Sequence, residues 1–310
     1  MKFNFDFFNK SVVTVISTIG NNSFAYGTGF IVTDTGYIIT SCHNCIDAIS
    51  VSILFDNKVL KKCQVIGMDK RTDICVLKIS GMHVVPLQIE TEETPKMSDK
   101  CYIIGNNEES SQSMCGVGHI KFDNYISSNV FDSIVIDINI NKGTSGSPIL
   151  NKSGRVIGMV NWFMDRDCSG GISAKYILNM FQKIINGDLS KSYIGVKSKP
   201  IRLQDILHYN ISMLKKSVSG EIVTEEAGIF QKNDIITKIN DQNVGILYTK
   251  IETLLYILPV GTPIKIEYYK HNPENGMSWN TIPLEVWLNT VLYPEELDKN
   301  IINSKNIKSF

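Results

Sequence analysis

The sequence predicts a mainly β protein of two modules in tandem, and three observations carry that reading. From residue 11 to about 165 the chain is a succession of short β-branched runs punctuated by Gly, Asn, Asp and Ser. Such runs indicate many strands packed as a sandwich or barrel. The first clear helical period comes only at 174 to 187. After a polar stretch at 187 to 192 the pattern changes to a smaller mixture of strands and helix, which marks a second module.

In order, the strand candidates of the first module are SVVTVISTI, GTGFIVT, GYIIT, ISVSILF, CQVIGM, ICVLKI, CYIIG, SIVIDINI, SPIL and RVIGMV. The segment AKYILNMFQKIING reads as a helix with an apolar stripe of Ile177, Leu178, Phe181, Ile184 and Ile185 and a C-terminal cap at Gly187. It closes a domain spanning 1–188. Strands YIGV, GEIV, DIITKINDQNV and PIKIEYY, with a helix near TKIETLLYIL, build a second domain over 191–285, and an Asn-, Lys- and Glu-rich tail is expected over 286–310.

The chain has 310 residues, 43% hydrophobic and 20% charged, enough for substantial cores. No apolar run reaches the roughly 18 residues of a membrane span. The 31 basic and 31 acidic residues cancel, so no whole-molecule field gathers nucleic acid or anionic lipid. The N-terminus carries Asp6 and Lys10 within its apolar part and lacks a small-residue cleavage site, so it does not read as a secretory leader. With seven cysteines, an odd number, this points to reduced thiols in an intracellular compartment. Cys42, His43 and Cys45 lack a second ligand cluster at zinc-like spacing and read as buried thiols around a histidine; neither metal nor cofactor is expected.

Four segments carry the chemistry. Gly143-Thr144-Ser145-Gly146-Ser147-Pro148 sets a serine between glycines after a strand. An acyl-transfer enzyme needs such a serine beside backbone amides that converge on the developing oxyanion, here those of Gly143 and Ser145. Gly36 to His43 is a strand ending at a histidine, Asp73 opens the apolar strand after Asp69-Lys70-Arg71-Thr72, and Gly27-Thr28-Gly29-Phe30-Ile31-Val32 lies just upstream of the histidine. Alone, each is a common turn or cap.

Together, GTGFIV, GYIITSCH, DKRTDICVLKI and DINI-NKGTSGSPI resemble, in content and order, the HtrA/Deg family of trypsin-like proteases. The resemblance implies a chymotrypsin/trypsin-like double β-barrel followed by a smaller α+β domain, and a triad in which Ser145 is nucleophile, His43 general base and Asp73 the residue orienting the imidazole. Thr144 and Ser147 stand where the family usually has Asn and Gly, so formation of the oxyanion hole is expected to depend on conditions. Gly171, Ile172, Ser173 and Ala174 resemble the family's strand lining the primary specificity pocket, which implies cleavage after small aliphatic residues.

Residues 191 to 285 resemble a PDZ domain, with Tyr193, Ile194, Gly195 and Val196 as its carboxylate-binding loop and Ala227-Gly228-Ile229 as its internal turn. The implied partners are polypeptide substrates and C-terminal peptides; a generic αβ module packed on the protease is the alternative. Phe3, Phe5, Phe7 and Phe8 serve either an N-terminal contact assembling a homotrimer or higher oligomer, as the family implies, or core packing of an N-terminal strand. The leading function is a serine endopeptidase with PDZ-mediated tethering or regulation. A peptide-binding, chaperone-like protein on an inactive protease scaffold and a narrow processing protease remain as alternatives.

Overall fold

The computed structural model describes residues 3–303 except 21–22, 57, 107–112, 128–129, 166–167, 189, 191, 209–218, 246–249, 257, 273–277, 281 and 293–300. The chain divides into two compact units, Met1–Leu189 with Asp298–Phe310, and Ser190–Leu297.

Among the described residues the first unit contains two sheets. An eight-stranded sheet runs Ile301–Asn303, Gln64–Asp69, Ile74–Lys78, Tyr37–Ser41, Ser23–Ile31, Val12–Ile19, Ser50–Leu54, Leu60–Lys62 in spatial order. The other is a closed barrel of Val130–Ile136, Cys168–Ser173, Val156–Asp165, Pro148–Leu150, Lys100–Asn106 and Ser113–Ser127. Unbroken β-branched runs suit strands covered on both faces. Ile74, Cys75, Val76 and Leu77 are accordingly all buried in succession. Val13, Val15, Ile38, Ile53 and Leu77 belong to one core, and Ile103, Ile134, Ile149 and Val160 to the other.

The predicted helix forms as Ala174–Ile185, and Gly187 takes the left-handed conformation, φ +67°, with its amide on the Ile184 carbonyl. Its buried stripe is rotated from the expected one. Tyr176, Ile177, Met180, Phe181 and Ile184 are buried, whereas Leu178 and Ile185 are half-buried. The helix packs so closely on the strand Gln64–Asp69 that a Cβ on Gly67 would lie 2.9 Å from Ile184 Cγ2. The N-terminal aromatics form no strand. Phe5–Asn9 is a short helix capped by the Asn4 side chain. Phe3 stacks on Tyr102 with ring centroids 3.8 Å apart, and Phe7 is exposed.

In the second unit a sheet runs Ser198–Pro200, Glu221–Val223, Ile235–Ile239, Pro263–Tyr269, Leu284–Asn289, with the helices Leu203–His208 and Ile251–Tyr256. The boundary expected at 285 falls inside the last strand. Leu284–Asn289 pairs along its whole length with Pro263–Tyr269, so the module continues beyond it. The tail expected over 286–310 likewise contains a strand, Ile301–Asn303, paired with Gly67, Met68 and Asp69.

Candidate active site

His43 is lifted out of the sheet by a single 3-10 turn, Cys42–Asn44, at the end of the strand Tyr37–Ser41. Cys42 and Cys45 on either side are buried to 1% and 2% exposure, while the His43 side chain is 47% exposed. Small apolar thiols thus anchor the turn and leave the imidazole outside. Burial pushes the Cys42 thiol well above its ordinary pKa and the Cys63 thiol up to about 12, and a hydrogen bond with Cys45, then burial, raise that of Cys75, which keeps them protonated and unreactive.

Asp73 meets this turn through all three of its oxygens. Its carbonyl accepts from the Cys42 amide at 2.9 Å, Oδ1 from the His43 amide at 2.9 Å, and Oδ2 lies 2.8 Å from His43 Nδ1. The backbone of Asp73 has φ +57°, a left-handed conformation that Asp and Asn tolerate better than most residues. What holds it there is Asp69, fully buried, whose carboxylate accepts from the amides of Arg71 and Thr72 and from the Thr72 hydroxyl. With Nδ1 donating to Asp73, Nε2 of the neutral ring is left as an acceptor, the tautomer a general base requires.

The serine turn is fixed chiefly through backbone atoms. The amide of Thr144 donates to the Asn141 carbonyl at 3.2 Å, that of Gly146 to Val160 at 2.7 Å and that of Ser147 to Thr144 at 2.9 Å. Gly143 and Gly146 adopt φ of +93° and +89°, and a Cβ on Gly146 would run into the Thr28 carbonyl. Among the described residues the two amides that find no internal acceptor in this turn are those of Gly143 and Ser145. They are the pair expected to hold an oxyanion. No hydrogen bond joins the Ser145 hydroxyl to the imidazole among the described residues; in substrate-free sites this contact is often long and tightens in the reacting complex.

Thr144 and Ser147 do not strain the turn, because neither adopts positive φ. The Thr144 hydroxyl donates to the Asn141 carbonyl at 2.6 Å. Ser147 is fully buried and its hydroxyl finds no partner among the described residues. Replacing it by Ala is therefore expected to stabilise the protein by about 1 kcal/mol, the order of a relieved polar desolvation. Urea unfolding at constant m would read this as a higher midpoint, and a lower midpoint would contradict it.

A second set of residues braces the turn, and sequence reasoning gave them no role. Thr28 donates its amide to the Ser145 carbonyl at 2.8 Å and its hydroxyl to the Gly143 carbonyl at 2.7 Å. Asn44 Nδ2 reaches both the Ser145 carbonyl and Thr40 Oγ1, and Thr40 in turn donates to the Thr28 carbonyl. The residue after the histidine is thereby tied to the serine. Position 27 requires a glycine, because a Cβ there would overlap the Asn44 amide. The signal available in sequence was the Gly-Thr-Gly segment and an Asn directly following His43.

Gly171 pairs with Val160, whose carbonyl accepts from Gly146, so the expected specificity strand runs one strand away from the serine turn. Ile172 is buried, Ser173 is the residue preceding the helix and Ala174 its first. In the second unit Tyr193 and Val196 line a groove, Ile194 turns into the core, and Gly195 has φ +76°. Among the described residues no group of His, Cys, Asp and Glu is placed to hold a metal ion, and no helix is long and apolar enough to cross a membrane.

Residues 27–159 match the family model of the trypsin-like peptidase domain. DegP-like proteins named probable periplasmic serine endoproteases are 28% identical over 257 residues in Chlamydia muridarum and 29% identical over 234 in Chlamydia pneumoniae. The chain carries a trypsin-like peptidase domain and is a homologue of the DegP/HtrA serine endoproteases. The matches cover 78% and 71% of this chain but 50% and 48% of those relatives, so it spans about half their length. The HtrA-type protease AlgW, solved with a tripeptide, superposes with TM-score 0.74 at 20% identity over 94% of this chain and 96% of that one. The serine endoprotease from Yersinia pestis gives 0.63 at 20% identity over 94% and 97%. These share with the DegP/HtrA homologue a trypsin-like fold followed by a C-terminal domain.

The relatives also overturn the expected intracellular compartment, since they are named periplasmic. That expectation leaned on a missing leader and on unpaired thiols. All seven cysteines are free thiols, but four of them, Cys42, Cys45, Cys75 and Cys101, are packed in the apolar cores, a role that carries no information about the redox compartment.

Proposed function

We propose that this DegP/HtrA homologue is a serine endopeptidase that cuts polypeptides through an acyl-enzyme on Ser145. The observation that carries the reading is a bidentate His43–Asp73 pair tied, through Asn44 and Thr28, to a serine turn whose two unused amides belong to Gly143 and Ser145. In this mechanism Nε2 of His43 takes the Ser145 proton as Oγ attacks the scissile carbonyl. The tetrahedral oxyanion is held by the Gly143 and Ser145 amides, and the imidazolium, stabilised by Asp73, then protonates the leaving amine. Water repeats the cycle on the ester. Gly171, Ile172, Ser173 and Ala174 are assigned to the primary specificity pocket, with a preference for small aliphatic residues.

The second unit is assigned to tethering or regulation by peptide C-termini. Its edge strand Ser198–Pro200 faces the helix Ile251–Tyr256 across the groove that Tyr193 and Val196 also line, an arrangement suited to adding a peptide strand. Assembly into a homotrimer or larger oligomer is assigned to the N-terminal aromatics, of which Phe7 is available at the surface.

The test is covalent. A fluorophosphonate probe is expected to label the wild-type chain at Ser145 and to fail on Ser145→Ala and on His43→Ala. Wild-type protein that stays unlabelled, while still binding C-terminal peptides, would replace this reading by a binding protein on an inactive scaffold.

A further inference from the structure

The groove of the second unit encloses about 510 Å³, and its lining includes Val196, Ser198, Pro200, Glu221, Ile251 and Leu255. Glu221 stands out chemically, because the residue is 4% exposed and its carboxylate meets no cation at ion-pair distance among the described residues. The lysines beside it are engaged elsewhere or only lend their field. Lys197 pairs with Glu225, Lys199 with the buried Asp205, and Lys250 and Glu252 act on Glu221 with opposite signs.

The two oxygens of Glu221 instead hold opposite walls of the groove. Oε2 accepts from the Ser198 hydroxyl at 2.6 Å, on the edge strand that would receive a peptide. Oε1 accepts from the Ile251 amide at 2.8 Å, at the first residue of the facing helix. Glu221 lies on the neighbouring strand, paired with Pro200. One side chain therefore ties the edge strand to the first residue of the helix that faces it.

We propose that Glu221 is the positioning residue of this groove, fixing the separation of its strand and helix walls so that a peptide C-terminus can add to the edge strand. The inference rests on the groove reading given above. Burial raises the Glu221 pKa, so stability that is present below the ordinary carboxylate range is lost as pH rises through the raised value. A glutamine keeps both links, accepting from Ile251 through its oxygen and donating to Ser198 through its amide, without the buried charge.

The experiment uses the full chain carrying Ser145→Ala, so that no peptide is cut, and a fluorescent decapeptide with an aliphatic last residue, as free acid and as C-terminal amide. The free acid is expected to bind more tightly than the amide. Adding Glu221→Ala is expected to weaken free-acid binding about tenfold or more, the scale of losing hydrogen bonds to a charged group. Glu221→Gln is expected to restore it with a Tm no lower than that of the parent. Should Glu221→Ala fold poorly, Ser198→Ala cuts only the strand link and is expected to weaken binding severalfold. Unchanged affinity in a folded Glu221→Ala or in Ser198→Ala, or no rescue by Gln, overturns the assignment of Glu221 alone. Equal binding of acid and amide, or of neither, overturns the groove reading and the inference with it.

Discussion

Ser145→Ala is expected to lower kcat for an unfolded protein such as casein by about 10⁶, the loss seen when a triad nucleophile is removed. The size follows from the division of labour in the turn. Everything that holds residue 145 in place acts on its carbonyl, through Thr28 and Asn44, or on the neighbouring amides of Thr144, Gly146 and Ser147. The hydroxyl contributes nothing to that scaffold. Alanine should therefore leave the turn, the two free backbone amides at positions 143 and 145 and the Tm unchanged while removing the atom that forms the acyl bond. A residual rate about 10³–10⁴ above water is the most the oxyanion amides and binding can sustain alone. Initial-rate assays on casein with matched thermal melts decide the matter; a variant keeping more than a few per cent of wild-type activity would show that Ser145 is not the nucleophile.

How much of this was legible in the chain depended on the range of the interaction that gives each residue its meaning. Strands such as ICVLKI were legible because two-sided burial writes itself as an unbroken apolar run. His43, Asp73 and Ser145 were legible because each sits in a local glycine or turn setting and their order along the chain is informative. The bracing residues were legible only in part. Thr28 between two glycines and Asn44 directly after His43 are local signals, but their contacts with the serine turn span about a hundred residues of chain, and Thr40 gives no local sign of its role. Asp69 looked like an ordinary turn residue, and only its complete burial marks it as the support of Asp73. Glu221 is hidden in the same way, as one carboxylate in the short strand Glu221–Val223. The Phe-rich N-terminus misled in the other direction: its aromatics suit a strand, but the Asn4 cap and the docking of Phe3 on Tyr102 accompany a helix. The concern over Thr144 and Ser147 also dissolves at the level of backbone angles, since the left-handed positions of the turn fall on Gly143 and Gly146.

Asp73→Asn is expected to lower kcat/KM by about 10⁴ with little change in stability. His43 is too exposed for packing to orient its ring; the orientation comes from the 2.8 Å contact of Nδ1 with Asp73 Oδ2. Asparagine can still accept from the His43 amide through its oxygen, but its remaining polar atom is then an NH₂ group facing Nδ1. The ring answers by placing its proton on Nε2, where it can no longer take one from Ser145. The choice of asparagine over alanine matters because of the backbone. Residue 73 has φ +57°, which Asn adopts readily and a β-carbon without a local hydrogen-bonding group adopts at a cost of about 1–2 kcal/mol. Alanine would thus mix a folding defect with the catalytic one, whereas asparagine isolates the tautomer. The check is kcat/KM alongside a melt of each variant. A loss below about a hundredfold in Asp73→Asn at unchanged Tm would mean that the imidazole keeps its working tautomer without the carboxylate, and that Asp73 shapes the loop rather than the base.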